Sequence, residues 1–135
     1  MALLLEIVTP DRRVFCEKVE HVVLPSSTGE IDILPGHIPL LSMLVPGELR
    51  YSQDGKTSSM AIDKGFIQVR GDKVSILAEA AIDVSKIDLS AVDDARKAAQ
   101  DALEEARLKG EDPAIIEELE TKARFTVIQS LVKRH

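Results

Sequence analysis

The chain has 135 residues, of which 44% are apolar, and a formal net charge of −6. That length suits one ordinary domain or a small domain with an appendage, and the apolar fraction excludes wholesale disorder. The acidic balance argues against nucleic acid as the main partner, because phosphate binding needs a dense Lys/Arg face.

The first 85 residues or so hold six of the seven glycines and five of the six prolines. They punctuate short apolar runs at intervals typical of an all-β domain. The runs predict strands over Leu3–Thr9, Val14–Cys16, His21–Leu24, Glu30–Leu34 and Pro39–Leu44, then over Gly47–Ser52, Ser58–Lys64, Phe66–Arg70 and Val74–Ala78. Turn chemistry lies between them at Pro10-Asp11-Arg12, Asp54-Gly55 and Gly71-Asp72. About ten short antiparallel strands in that length predict a β-sandwich or flattened barrel. The lone Cys16 rules out an internal disulfide and reads as a small buried hydrophobe in a strand, in a reducing compartment.

Beyond residue 85 the grammar is helical. Lys86–Lys109 lacks glycine and proline and repeats Ala91, Val92, Ala95, Ala99, Ala102, Leu103 and Ala106 at spacings of three and four. Asp88 or Ser90 can cap its start. Gly110-Glu111-Asp112-Pro113 ends this helix and begins a second over Ala114–Val132, with Ile116, Leu119, Ala123, Val127 and Leu131 as its apolar stripe. The fold class is therefore α+β, an N-terminal antiparallel sandwich over residues 1–85 followed by a two-helix antiparallel hairpin over 86–135. An alanine stripe gives good helicity but little burial, about one methyl or 0.8 kcal/mol per residue. Such helices persist while gripping one another weakly, as a movable element would. A static hairpin packed on the sandwich fits the same composition.

Catalytic constellations are poor. His21, in an apolar strand, and His37 have no convincing partner in sequence, and His135 is terminal. No ligand spacing suggests a metal, the isolated glycines do not form a phosphate-cradling loop, and no cofactor is predicted. Pro35, Gly36 and Pro39 stiffen the loop around His37, which lowers the entropy lost on docking and suits a contact surface. No stretch approaches the roughly 20 apolar residues of a membrane span. Met1-Ala2-Leu3-Leu4-Leu5-Glu6 lacks the features of a signal peptide, so the expectation is a soluble protein made in the cytoplasm.

The segment Glu30-Ile31-Asp32-Ile33-Leu34-Pro35-Gly36-His37-Ile38-Pro39-Leu40-Leu41 resembles the "PGHxPLL" segment of the epsilon subunits of F-type ATP synthases. Val45-Pro46-Gly47-Glu48-Leu49-Arg50, Lys64-Gly65-Phe66-Ile67-Gln68-Val69 and Val74–Ala81 are similar to further motifs of that family, in the same order. So is the N-terminal Leu5–Pro10, and the resemblance extends over the whole chain, hairpin included.

The resemblance implies a non-catalytic part of the central stalk. Its sandwich would sit beside the gamma subunit and on the loops of the c-ring, with Glu30, Gly36, His37, Pro39 and Leu40 at the docking end; Pro39 and Leu40 also fit a role in shaping the sandwich. The hairpin would fold against the sandwich or extend between alpha and beta subunits to block ATP hydrolysis. Laid end to end its helices span about 60 Å. Lys122, Arg124, Lys133 and Arg134 would be its contacts there. Membrane attachment would be indirect, at the cytoplasmic face of a bacterial inner membrane, and the Gly36-His37 pair leans away from the chloroplast members. One departure stands out: Ile87-Asp88-Leu89-Ser90-Ala91-Val92 lacks the arginine of the family's ATP-binding hairpin motif, for which Arg96 or Arg124 would be only partial substitutes. Two other readings are kept at this point. One is a free-standing sandwich module with a helical oligomerisation tail, and the other is a small hydrolase acting through His37.

Overall fold

A computed structural model describes residues 2–134; Met1 and His135 lie outside it. Ten strands form one sheet: β1 (Leu3–Val8), β2 (Arg13–Val19), β3 (His21–Ser26), β4 (Gly29–Ile33), β5 (Leu40–Leu44), β6 (Gly47–Gln53), β7 (Lys56–Ile62), β8 (Gly65–Arg70), β9 (Lys73–Ala78) and β10 (Ala81–Asp83). A 3-10 turn at Val84–Lys86 leads to helices α1 (Leu89–Leu108) and α2 (Pro113–Arg134).

The sheet runs in the order β10-β7-β6-β3-β5-β8-β9-β1-β2, with β4 paired to β3. It curls into a nearly closed barrel in which the edge strand β2 returns to β6. There the Phe15 and Tyr51 rings meet with centroids 4.8 Å apart, and Gln53 donates to the Lys18 carbonyl at 2.9 Å. Every pairing is antiparallel except β1 with β9, which run parallel over Leu4–Val8 and Lys73–Leu77. The N-terminal hairpin enters the sheet in this way as a long-range addition.

Alternation makes the core. Leu3, Leu5 and Ile7 of β1 point inward to meet Val22 and Leu24, Leu49 and Tyr51, Met60 and Ile62, Ile67 and Val69, and Val74 and Ile76, all buried. Period-two sequences supply this inward row on each strand. The expectation for Cys16 fails on parity. Phe15 and Val19 take the inward positions of β2, so Cys16 falls between them on the outside, opposite Glu6, and is exposed.

The helices begin and end where local chemistry dictates. Asp88 is the N-cap of α1, accepting from the Ser90 N–H at 3.0 Å, and Gly110 ends it with φ +64°. Asp112 accepts from the Ala114 N–H at 2.9 Å to start α2. The buried stripes are narrower than the alanine pattern implies. In α1 they reduce to Val92, Leu103 and Ala106, while Ala91, Ala95 and Ala102 are exposed. Helix α2 buries Ala123, Ile128 and Val132 and leaves Leu131 outside. The reason is that α2 packs on two bodies, α1 and the sheet. A second small core forms beneath it from Ala61, Ile87, Val92, Ile128 and Val132, with Ile82, Val84 and Phe125 at its margin.

Strands β8 and β9 approach so closely at Gly65 that a Cβ there would overlap the Leu77 carbonyl oxygen. Gly65→Ala is expected to destabilise the chain by about 3 kcal/mol, since backbone rather than a side chain must yield. The midpoint of urea denaturation measures this, and an unchanged midpoint contradicts it.

Candidate functional site: two outward faces and a latched hairpin

The loop after β4 is built as its residues require. Leu34-Pro35-Gly36-His37 forms a turn closed by the His37 N–H donating to the Leu34 carbonyl at 3.1 Å, with Gly36 at φ +84°. Proline before a left-handed glycine is the type II pattern. The His37 Nδ1 donates to the Ile38 carbonyl at 2.7 Å, so the imidazole braces the loop. Glu30 lies on β4 and accepts from Arg50 at 3.0 Å, while the second guanidinium arm of Arg50 donates to Glu48 at 3.0 Å. The hydrogen bond to Glu48, with that to Glu30, raises the Arg50 pKa above its ordinary value against the opposing effect of burial. Pro39 is exposed, and Leu40 is half-buried, packing against the main core. Of the predicted docking residues, Leu40 therefore contributes its side chain inward, and its neighbour Leu41 carries the outward surface at 75% exposed.

Leu41 belongs to an apolar surface that the sequence reading missed. Met43 pairs with Phe66 and Phe66 with Leu77 across β5, β8 and β9, and Leu77 pairs with Val8 of β1. Met43, Phe66 and Leu77 are each more than half exposed on the outer face, and Leu34 and Ile38 are likewise exposed on the loop before β5. A cleft of about 670 Å³ opens along it, lined among others by Met43, Lys64, Gly65, Phe66, Leu77 and Glu79. Single exposed leucines are ordinary; a contiguous row over four strands marks an interaction surface. The signal was present in Leu40-Leu41-Ser42-Met43-Leu44, where apolar residues occupy both parities of a strand.

The outer face of β3, β4 and β6 is polar instead. His21, without an evident partner in sequence, has two in space: Nδ1 lies 3.1 Å from Asp32 Oδ1 and Nε2 lies 2.8 Å from Ser52 Oγ. Asp32 sits eleven positions away and Ser52 thirty-one, and the β3 pairings bring both to His21. The order Ser–His–Asp is that of a hydrolytic triad, but Ser52 lies mid-strand with its backbone within the β3 and β7 ladders. The cluster cross-ties three strands.

The hairpin meets the sheet at a buried charge. Asp63, on the turn between β7 and β8, is fully buried. Arg124 of α2 donates to it twice, from Nε to Oδ1 at 3.0 Å and from the terminal nitrogen to Oδ2 at 3.0 Å. The Lys64 N–H adds a third donor at 2.7 Å. The hydrogen bond to Asp63 raises the Arg124 pKa above its ordinary value, against the effect of burial. Lys133 donates to the Val84 carbonyl at 3.0 Å, and Arg134 pairs with Asp93 of α1 at 3.0 Å. Lys122 makes only a loose exposed pair with Glu118. The predicted cations of the extended hairpin thus have internal partners when it is folded back.

Outward surface, polar cross-ties and a pinned hairpin define a class of protein: a strand-built subunit that presents faces to other proteins. Residues 2–84 match the family model for the ATP synthase delta/epsilon chain, beta-sandwich domain. The chain is 48% identical over 103 residues to the ATP synthase epsilon chain of Carboxydothermus hydrogenoformans, covering 76% of this chain and 72% of that one. It is 43% identical over 99 residues to the epsilon chain of Pelotomaculum thermopropionicum, covering 73% and 74%. Among solved structures, a chain of the Euglena gracilis mitochondrial ATP synthase (OSCP/F1/c-ring) is similar with a TM-score of 0.63 and 26% identity, over 96% of this chain and 79% of that one. The chain belongs to the ATP synthase epsilon family, and as such it is a non-catalytic subunit of the central stalk.

Asp88 is committed to capping α1 and Arg124 to Asp63, so neither is free to hold a nucleotide. Equilibrium dialysis of the isolated chain with labelled ATP is expected to show no binding at micromolar concentrations; micromolar affinity contradicts this assignment of the two side chains.

Proposed function

We propose that the sandwich docks on the gamma subunit through the apolar row Leu41, Met43, Phe66 and Leu77. The braced loop around His37, with Glu30 beside it, meets the polar loops of the c-ring. The observation that carries this reading is the contiguous outward apolar face in a chain of this family. Exposed carbon of that extent is stabilised by being covered, at about 25 cal/mol per Å² removed from water. Membrane association is then indirect, through the Fo sector, at the cytoplasmic face of a bacterial inner membrane. The partner interface includes Gly36 and Pro39 through the backbone shape they impose.

The hairpin is the regulatory part. Folded back, it covers the small core over Ala61; extended, it reaches alpha and beta subunits and restrains hydrolysis. Arg124 and Lys133, released from the sandwich side, meet acidic surface there together with Lys122 and Arg134, whose partners lie within the hairpin. The contrast between a broad main core and the small second core supports this division. The main core unites nine strands, whereas the hairpin holds the sheet through a handful of aliphatic side chains and one ion pair.

Two experiments test the reading. Phe66→Asp is expected to leave the fold intact, since the ring is more than half exposed, while weakening association with gamma at least tenfold. Calorimetric titration against purified gamma measures it, and wild-type affinity contradicts the docking face. Deleting the residues after Val84 is expected to preserve assembly with gamma and raise ATP hydrolysis by the reconstituted complex. Loss of gamma binding in the truncated chain overturns the division of labour.

A further inference from the structure

The regulatory reading leaves open what sets how often the hairpin leaves the sandwich. We infer that the buried Asp63–Arg124 pair is the latch, with Asp63 the fixed half and Arg124 the moving half. This rests on the reading that the hairpin departs, and it adds the element that controls departure.

Asp63 is fixed because its turn is fixed. Its N–H donates to the Ala80 carbonyl at 2.9 Å, and the Glu79 N–H donates to the Lys64 carbonyl at 3.0 Å. Two residues on, Gly65 is wedged against the Leu77 backbone. The carboxylate is fully buried, whereas the Arg124 side chain retains 35% exposure. That asymmetry matters. With the hairpin down, Asp63 depends on α2 for its partner, and a carboxylate out of water without a partner is strongly disfavoured. With the hairpin lifted, water reaches both groups and neither is stranded.

Removing only the guanidinium therefore penalises the docked state and spares the released one. Removing the carboxylate charge alone is milder, because Arg124 keeps access to water and an asparagine oxygen still accepts from the Lys64 N–H. Removing both deletes the penalty and leaves the apolar contacts to hold the hairpin. The remaining ties are weaker by position. Arg134–Asp93 joins α2 to α1 and travels with the hairpin, and Lys133 reaches only a backbone carbonyl.

The test uses the full chain with Cys16→Ser and a reporter thiol introduced as Ala61→Cys. Position 61 is fully buried beneath the hairpin and takes the small thiol with little change of volume. The rate of disulfide exchange with Ellman's reagent then reports the released population, as local opening does in general. A second chain with Ala78→Cys, buried in the main core, reports global opening. Arg124→Met is expected to speed labelling at position 61 at least thirtyfold while leaving position 78 within about threefold of its parent. Adding Asp63→Asn to Arg124→Met is expected to bring the rate back to within about fivefold of the parent.

An unchanged rate in Arg124→Met, or a double variant whose effect is the product of the two single effects, overturns the latch. Equal acceleration at positions 61 and 78 also overturns it, because the pair then supports the whole fold. ATP hydrolysis by synthase reconstituted with Arg124→Met reads the regulatory role separately. If labelling accelerates but hydrolysis is unmoved, the latch stands and the inhibitory reading falls.

Discussion

A strand has two faces, and only one of them can serve the core. Once Leu3, Leu5, Ile7, Ile67, Val69, Val74 and Ile76 are committed inward, the residues between them must lie outside whatever their chemistry. This constraint organises the subunit. On β3, β4 and β6 the outward positions are filled by His21, Asp32, Arg50, Glu30 and Ser52, which satisfy one another. On β5, β8 and β9 they are filled by Leu41, Met43, Phe66 and Leu77, which none of the described residues covers. The barrel is thus one core with a self-sufficient side and a side that awaits a partner.

The hairpin follows a different economy. Its helices are well capped and rich in alanine, so they hold their shape with little help. Their attachment is concentrated in a few places: the small core above Ala61, the Asp63–Arg124 pair and the Lys133 contact. Burying four or five aliphatic side chains is worth on the order of 1.5–3 kcal/mol each before ordering costs are subtracted. The sheet does not depend on that hold, because the closing contacts of the barrel lie elsewhere, at Phe15–Tyr51 and Gln53–Lys18.

Legibility in sequence tracks how local the governing chemistry is. Strand runs punctuated by glycine and proline, the caps at Asp88 and Asp112 and the stop at Gly110 depend on neighbours within four residues, and all could be read directly. The turn around His37 was legible for the same reason. What escaped reading depends on distant pairing. Asp63 and Arg124 are 61 positions apart, and neither has a local feature that announces the other. The partners of His21 appear only once β3 has found β4 and β6. Cys16 was misread because an isolated strand does not say which parity faces in. The stripes of α1 and α2 were drawn too wide, since alanine is compatible with both a buried and an exposed position.

The parallel pairing of β1 with β9 carries a consequence for the order of folding. Leu4 lies beside Lys73 and Val8 beside Leu77, so β1 waits for β9 before its backbone is satisfied on both sides. The barrel can close only after that pairing has formed. The ledge at Ala61 is covered separately, by Ile87 and Val92 and then by Ile128 and Val132 of α2. A chain whose barrel has closed can therefore still lack the cover that α2 lays over Ala61.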